Sequence, residues 1–206
     1  DANGNIFTLP AGFKVVVNDD TNNAKTVDNG IVIEDATDAA TKGSQFVWIP
    51  VGTIKKADGT TGEIKLNRYT FDSNGIPTEK NEDVIDSDYS ETASKGNIVA
   101  KNISNFKLSV EANGRYYIGR YEARITIARN SKDDALTQIT EKEIDQVYNY
   151  VTQLQAANQS QNMYSSSNFI SDLMNSYAWD TATLFLQNCG TNTKYSKQNS
   201  LNKSLL

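Results

Sequence analysis

Reactive side chains are scarce in this chain, and their types and spacing restrict the chemistry available to it. There is no histidine, so neither a Ser-His-Asp nor a Cys-His nucleophile pair can be assembled, and no imidazole can hold a metal. The one cysteine, Cys189, has no mate for an intrachain disulfide or a zinc cluster. It stands at the end of an apolar helical pattern, where the helix dipole disfavours a thiolate. No spacing pairs two carboxylates across a cleft in the manner of a glycoside hydrolase. The chain does offer oxygen ligands. Asp86-Ser87-Asp88-Tyr89-Ser90 alternates oxygen-bearing side chains, with Asp83 and Glu91 close by. A hard cation takes about six to eight such oxygens, which makes Asp83, Asp86 and Asp88 the calcium candidates. The glycine and terminal bidentate glutamate of an EF-hand loop are missing, so a solvated acidic loop is the simpler reading. No other cofactor is implied.

With 206 residues the chain is long enough for one large domain or two small ones. Lys and Arg number 20 against 25 Asp and Glu, a net charge of −5. Nucleic acid needs a basic surface and is an unsuitable partner. No apolar run approaches the ~20 residues of a membrane span. The start at Asp1, the asparagine- and threonine-rich composition and the near absence of cysteine suggest a processed chain on an extracellular or bacterial cell surface, Gram-positive in style.

The elements that must position these groups divide into a strand-rich first half and a helix-rich second half. Phe13–Val17 follows the turn signal Pro10-Ala11-Gly12, and Gly30–Glu34 follows Asp28-Asn29-Gly30. Gln45–Val51 is the densest β-forming run, with Pro50 placing its end at an edge or bulge. Glu63–Phe71 alternates as one strand, and Asp58-Gly59 and Gly62 suit a hairpin-like connection before it. Residues 72–97 form a long polar excursion. Asn102–Ala112 has a helical apolar stripe stopped by Asn113-Gly114, and Arg115–Ile127 resumes as strand. Asp133-Asp134 reads as an exposed turn. Thr140-Glu141-Lys142-Glu143 has the form of a capping box ahead of Ile144, Val147, Val151 and Leu154, one helix face. Ser165-Ser166-Ser167 offers N-caps for a second helix from Phe169 to Leu186, ended by Gly190. The two helices are expected to pack on the sheet and on each other.

Three stretches in this order are more than generic: Gln45-Phe46-Val47-Trp48-Ile49-Pro50-Val51, Tyr116-Tyr117-Ile118-Gly119-Arg120-Tyr121-Glu122-Ala123, and Ser171 to Asp180 with its Trp179-Asp180. Together they resemble the formylglycine-generating-enzyme-like (sulfatase-modifying-factor) family, in the form found in secreted and surface proteins of clostridia and related Firmicutes. The resemblance spans roughly residues 30–190. It implies an α+β, C-type-lectin-like mixed sheet over residues 30–206, preceded by an N-terminal strand or extension over 1–29. Trp48, Tyr117, Gly119, Tyr121, Glu122, Trp179 and Asp180 would form its structural core motif. The family's later G-N-V-x-E-W and R-G-G-S segments do not occur, so the resemblance also implies a chain that is incomplete at its C-terminus. The family's copper and cysteine pair belong to that later part.

The bulky aromatics at structural periodicity read as core, and Arg120 with Glu122 reads as an ion pair on one strand face. No residue is assigned a catalytic role, and no ligand-binding residue can be singled out. The expected function is that of a non-catalytic secreted or cell-surface protein, using its scaffold to bind a protein or glycan ligand or to associate with itself. A filament or pilus-like subunit is one version. The other class is a copper-dependent formylglycine-generating oxidase whose cysteines lie beyond residue 206.

Overall fold

The computed structural model describes residues 1–16, 26–37, 39–80, 102–165 and 169–189. Within them the chain is mixed α+β, with small antiparallel sheets and three α-helices. The strands are β1 (Phe13–Val15), β2 (Ile31–Asp35), β3 (Gln45–Pro50), β4 (Gly52–Lys55), β5 (Thr61–Ile64), β6 (Arg68–Phe71), β7 (Pro77–Lys80), β8 (Arg115–Gly119), β9 (Arg124–Ile125) and β10 (Gln146–Val147). The helices are α1 (Ile103–Asn113), α2 (Gln153–Met163) and α3 (Ser176–Cys189).

The central sheet has the order β1-β2-β3-β8, antiparallel throughout. Residues directly opposite in such a ladder share a face. The register therefore puts Phe13, Ile31, Ile33, Phe46, Trp48, Tyr117 and Gly119 on one face, and Val32, Val47, Ile49, Tyr116 and Ile118 on the other. Both faces are covered, which is why Ile31-Val32-Ile33 is apolar without alternation. On the first face the edge of the Phe7 ring meets Trp48, with ring centroids 6.3 Å apart, and the Tyr117 hydroxyl donates to the Thr8 carbonyl at 2.8 Å. On the second face Phe106 of α1 packs edge-on against Tyr116 at 5.2 Å, and the Tyr116 hydroxyl donates to the Ala178 carbonyl of α3 at 2.7 Å. A polar row crosses the sheet at one end of that face. Lys14 pairs with Glu34 at 3.0 Å, Gln45 donates to Glu34 at 2.9 Å, and Arg120 donates to Gln45 at 2.8 Å.

Pro50 ends a central strand rather than an edge strand. Its ring costs no ladder bond because β2 pairs with β3 only as far as Trp48. The stretch 63–71 is two strands, not one. β5 pairs back on β4 around Asp58-Gly59, and β6 pairs forward on β7 around Asp72–Gly75, so the polar excursion begins as a strand. The break at 65–67 comes from outside the segment. The buried Thr181 hydroxyl of α3 accepts from the Asn67 N–H and donates to the Asn67 carbonyl, both at 3.3 Å, diverting groups that a continuous strand would pair.

α1 forms where the pattern places it. The Asn102 side chain caps its N-terminus through the Asn105 N–H, and Gly114 (φ 64°) closes it in the left-handed region. The strand expected over 115–127 stops at Gly119 and resumes only as the two-residue β9. The helix expected from Thr140 does not form. Thr140 forms an isolated antiparallel bridge with Arg124, its hydroxyl donates to Asp145, Val147 lies in β10, and Ile144 is 90% exposed. The capping box lies further along the chain, at Thr152 and Gln155, ahead of α2. The second expected helix is also shorter. Phe169 turns inward against Phe13 and Tyr164, Ser165 bridges Ile170, and α3 begins only after Asn175, whose side chain accepts from the Ala178 N–H. Gly190 lies outside the described residues. The two helices expected in the second half are thus α2, shifted along the chain, and the shortened α3, with α3 laid over β5 and β6 and the separately expected α1 against β8.

Thr181→Val keeps the shape of the side chain and removes its hydroxyl. The Asn67 N–H and carbonyl then lose their partner, and urea unfolding should show a loss of about 1–3 kcal/mol. Thr152→Ala should cost about 1 kcal/mol and lower the helical circular-dichroism signal, whereas an unchanged spectrum and midpoint would contradict the cap.

Candidate functional site

The residues expected to act as one motif separate in the structure. Trp48 is buried and directly opposite Tyr117 across β3 and β8. Tyr121 lies past the strand end, with the Arg120 and Arg124 guanidinium groups over its ring at 5.4 and 5.3 Å. Glu122 is exposed and shares no strand face with Arg120, because β8 has ended. Arg120 binds Gln45 instead. Asp180 is a true anchor. It accepts from the Arg68 side chain at 2.7 Å and from the Tyr69 N–H at 2.9 Å. Trp179 was expected in the core but is 62% exposed, since Ala178 and Thr181 carry the buried side of α3. Asp83, Asp86 and Asp88 lie outside the described residues. Among the described residues, no group of three or more acidic or Cys side chains is placed to hold a metal ion. Asp133 and Asp134 do lie in an exposed turn, where the Asp134 carboxylate accepts from the N–H groups of Asn130 and Ser131. Cys189 is the last residue of α3 and is buried beside Gly62; burial pushes its thiol up to about 11, away from nucleophile behaviour.

Two features that the sequence pattern does not announce stand out. The first is the outer side of α3. Trp179 and Leu186 are seven residues apart, two helical turns, and lie on one face with Thr183 between them. Leu186 is 46% exposed. The only charged residue of α3, Asp180, is committed to Arg68, so this face presents no free charge.

The second is a buried polar cluster at the Gly119 end of the sheet. Asp35 ends β2, and its carboxylate accepts from the Thr37 N–H and hydroxyl, the Thr41 hydroxyl and the Tyr164 hydroxyl, at 2.6–2.8 Å. Burial pushes this carboxyl up, but those four hydrogen bonds together hold it below its usual range. Tyr164 sits among Phe13, Phe46 and Phe169, and burial raises its own hydroxyl. Glu141 has the opposite environment. It is 8% exposed, one carboxyl oxygen has no hydrogen-bond partner, and burial pushes it up to about 8 against the pull of Arg124. Its backbone is tied to the sheet, accepting from the Gln45 N–H at 3.0 Å and donating to the Ser44 hydroxyl at 3.1 Å. The carboxyl lies directly over Gly119, where a Cβ would come within 2.5 Å of it. Gly119 has an ordinary φ, so its glycine serves close approach rather than a turn.

Compared with family models, with curated proteins and with solved structures, the chain matches none.

Gly119→Ala should therefore destabilise the fold by about 1–3 kcal/mol through overpacking. The double variant with Glu141→Ala should recover most of that loss, and strictly additive midpoints in a double-mutant cycle would show that the two residues do not press on one another.

Proposed function

We propose that this is a non-catalytic secreted or cell-surface protein that works by contact, and that its principal contact is with a second copy of itself through the outer face of α3. The observation that carries this reading is Trp179, a large aromatic left 62% exposed on a regular helix with Leu186 two turns along the same face. Exposed tryptophan is expensive to leave in water and is the residue type most enriched at binding hot spots. The chain carries a net charge of −5, so two copies repel wherever acidic surfaces meet. The outward residues of α3 add no charge to that repulsion.

A C-type-lectin-like scaffold of the formylglycine-generating-enzyme-like kind is the finer part of the proposal. What supports it is that the three stretches carrying the resemblance converge. The first and second contain the paired strands β3 and β8, and Tyr116 of the second donates to Ala178 of the third.

Trp179→Ala and Leu186→Ala remove exposed side chains and should leave the melting temperature within a degree or two. Sedimentation equilibrium of the unaltered protein should show dimers whose dissociation constant rises about tenfold or more in the Trp179→Ala variant. A protein that stays monomeric at high concentration, or a dimer indifferent to both substitutions, overturns the self-association. A glycan array with and without calcium then tests a sugar as the occupant instead.

A further inference from the structure

We propose that the buried Glu141 side chain is a proton-operated pin that fastens the segment 120–150 to the central sheet, closed when the carboxyl carries its proton and released when it does not. The attachments of this segment gather around one residue. The Gln45 N–H donates to the Glu141 carbonyl, the Ser44 hydroxyl accepts from the Glu141 N–H, and the carboxyl itself seats on Gly119 at the end of β8. Arg120 and Lys142 flank this point, with the Arg120 N–H donating to the Gln45 carbonyl and the Lys142 ammonium to the Ala40 carbonyl.

The seat suits a neutral carboxylic acid and not a carboxylate. A glycine offers no donor side chain, and one carboxyl oxygen is left unpartnered in a buried position. Most of the charged and titratable groups around it are engaged elsewhere, and of the described ones only the buried Arg124 Nε is without a partner. Arg124, on β9, spends Nη1 on the carbonyls of Glu143 and Asp145, at 2.8 and 2.7 Å. Tyr164, at the end of α2, donates to Asp35 and is not available to the acid. Burial therefore holds the acid up to about 8 against the pull of Arg124, compared with 4.5 when free. The sign follows from linkage. The closed form binds the proton more tightly than the open form, so closure is fully favoured below 4.5. It weakens progressively as pH rises and has lost this contribution above about 8.

Hydrogen exchange on the intact chain tests this. Between pH 6 and pH 9, protection factors at the amides of Gln45, Arg124 and Thr140 should fall more than tenfold, beyond the change at Trp48 and Ile49 in the middle of β3. Glu141→Gln is neutral at every pH and should keep those protection factors nearly level over the same range. A fall of equal size in the Gln variant, no fall in the unaltered protein, or an equal loss at Trp48 and Ile49 would each overturn the pin. If the Gln variant fails to fold, Gly119→Ala/Glu141→Ala serves in its place, with the same level profile expected.

Discussion

The contact on which the arrangement depends is the one that two adjacent residues of α3 make with the backbone between β5 and β6. Asp180 holds the Arg68 side chain and the Tyr69 N–H, and Thr181 holds both backbone groups of Asn67. These bonds are short-range and directional, and two of the groups are buried donors or acceptors that would be costly to leave unpaired. They decide where the alternating stretch 63–71 breaks, and so allow two hairpins where one long strand could have run. The same helix then reaches the other hairpin through Asn188, which donates to the Glu63 carbonyl, and meets the β6–β7 turn where Gln187 lies against Gly75. Beneath it, Ala178 and Phe185 join the apolar core with Ile49, Ile54, Ile64 and Tyr116. Polar pinning sets the register of α3 and apolar burial supplies the driving force.

With α3 fixed in this way, its opposite side is fixed too. A helix that commits Ala178, Thr181, Leu184 and Phe185 inward leaves Trp179, Thr183 and Leu186 facing away. The exposure of Trp179 is thus a consequence of the pinning contact and not of a frayed end. The second notable feature, the Glu141 seat, is independent of α3. It depends on the backbone bonds of Glu141 to Ser44 and Gln45 and on a glycine at the end of β8. The two carboxyls there show how environment separates like groups: Asp35 has donors on both oxygens, while one Glu141 oxygen is buried with none.

Much of the sheet was legible in the residues. Ile31–Glu34, Gln45–Pro50 and the capped helix with Asn102 and Gly114 announce themselves by apolar density, turn chemistry and caps, all of which act over a few neighbours. The misreadings share a cause. Thr140-Glu141-Lys142-Glu143 satisfies a capping box locally, yet Thr140 pairs with Arg124 and Glu141 with Gln45, partners far away in the chain. Phe169 and Ile170 fit a helical period, yet Phe169 is drawn to Phe13, more than a hundred residues distant. A long-range partner that satisfies a backbone group or fills an aromatic gap outweighs a helix propensity worth only tenths of a kcal/mol per residue.

Within these 206 residues, the sequence alone excluded histidine chemistry, an intrachain disulfide and a cysteine zinc cluster, because a side chain that is absent cannot be supplied by folding. They also set the charge and located the elements whose signals are local. Only the tertiary structure decided that Trp179 faces outward, that Gly119 exists for the sake of Glu141, and that Asp180 and Thr181 break a strand. Each of those depends on which distant segment lies alongside, and burial and hydrogen-bond completion are properties of that neighbourhood rather than of the residue.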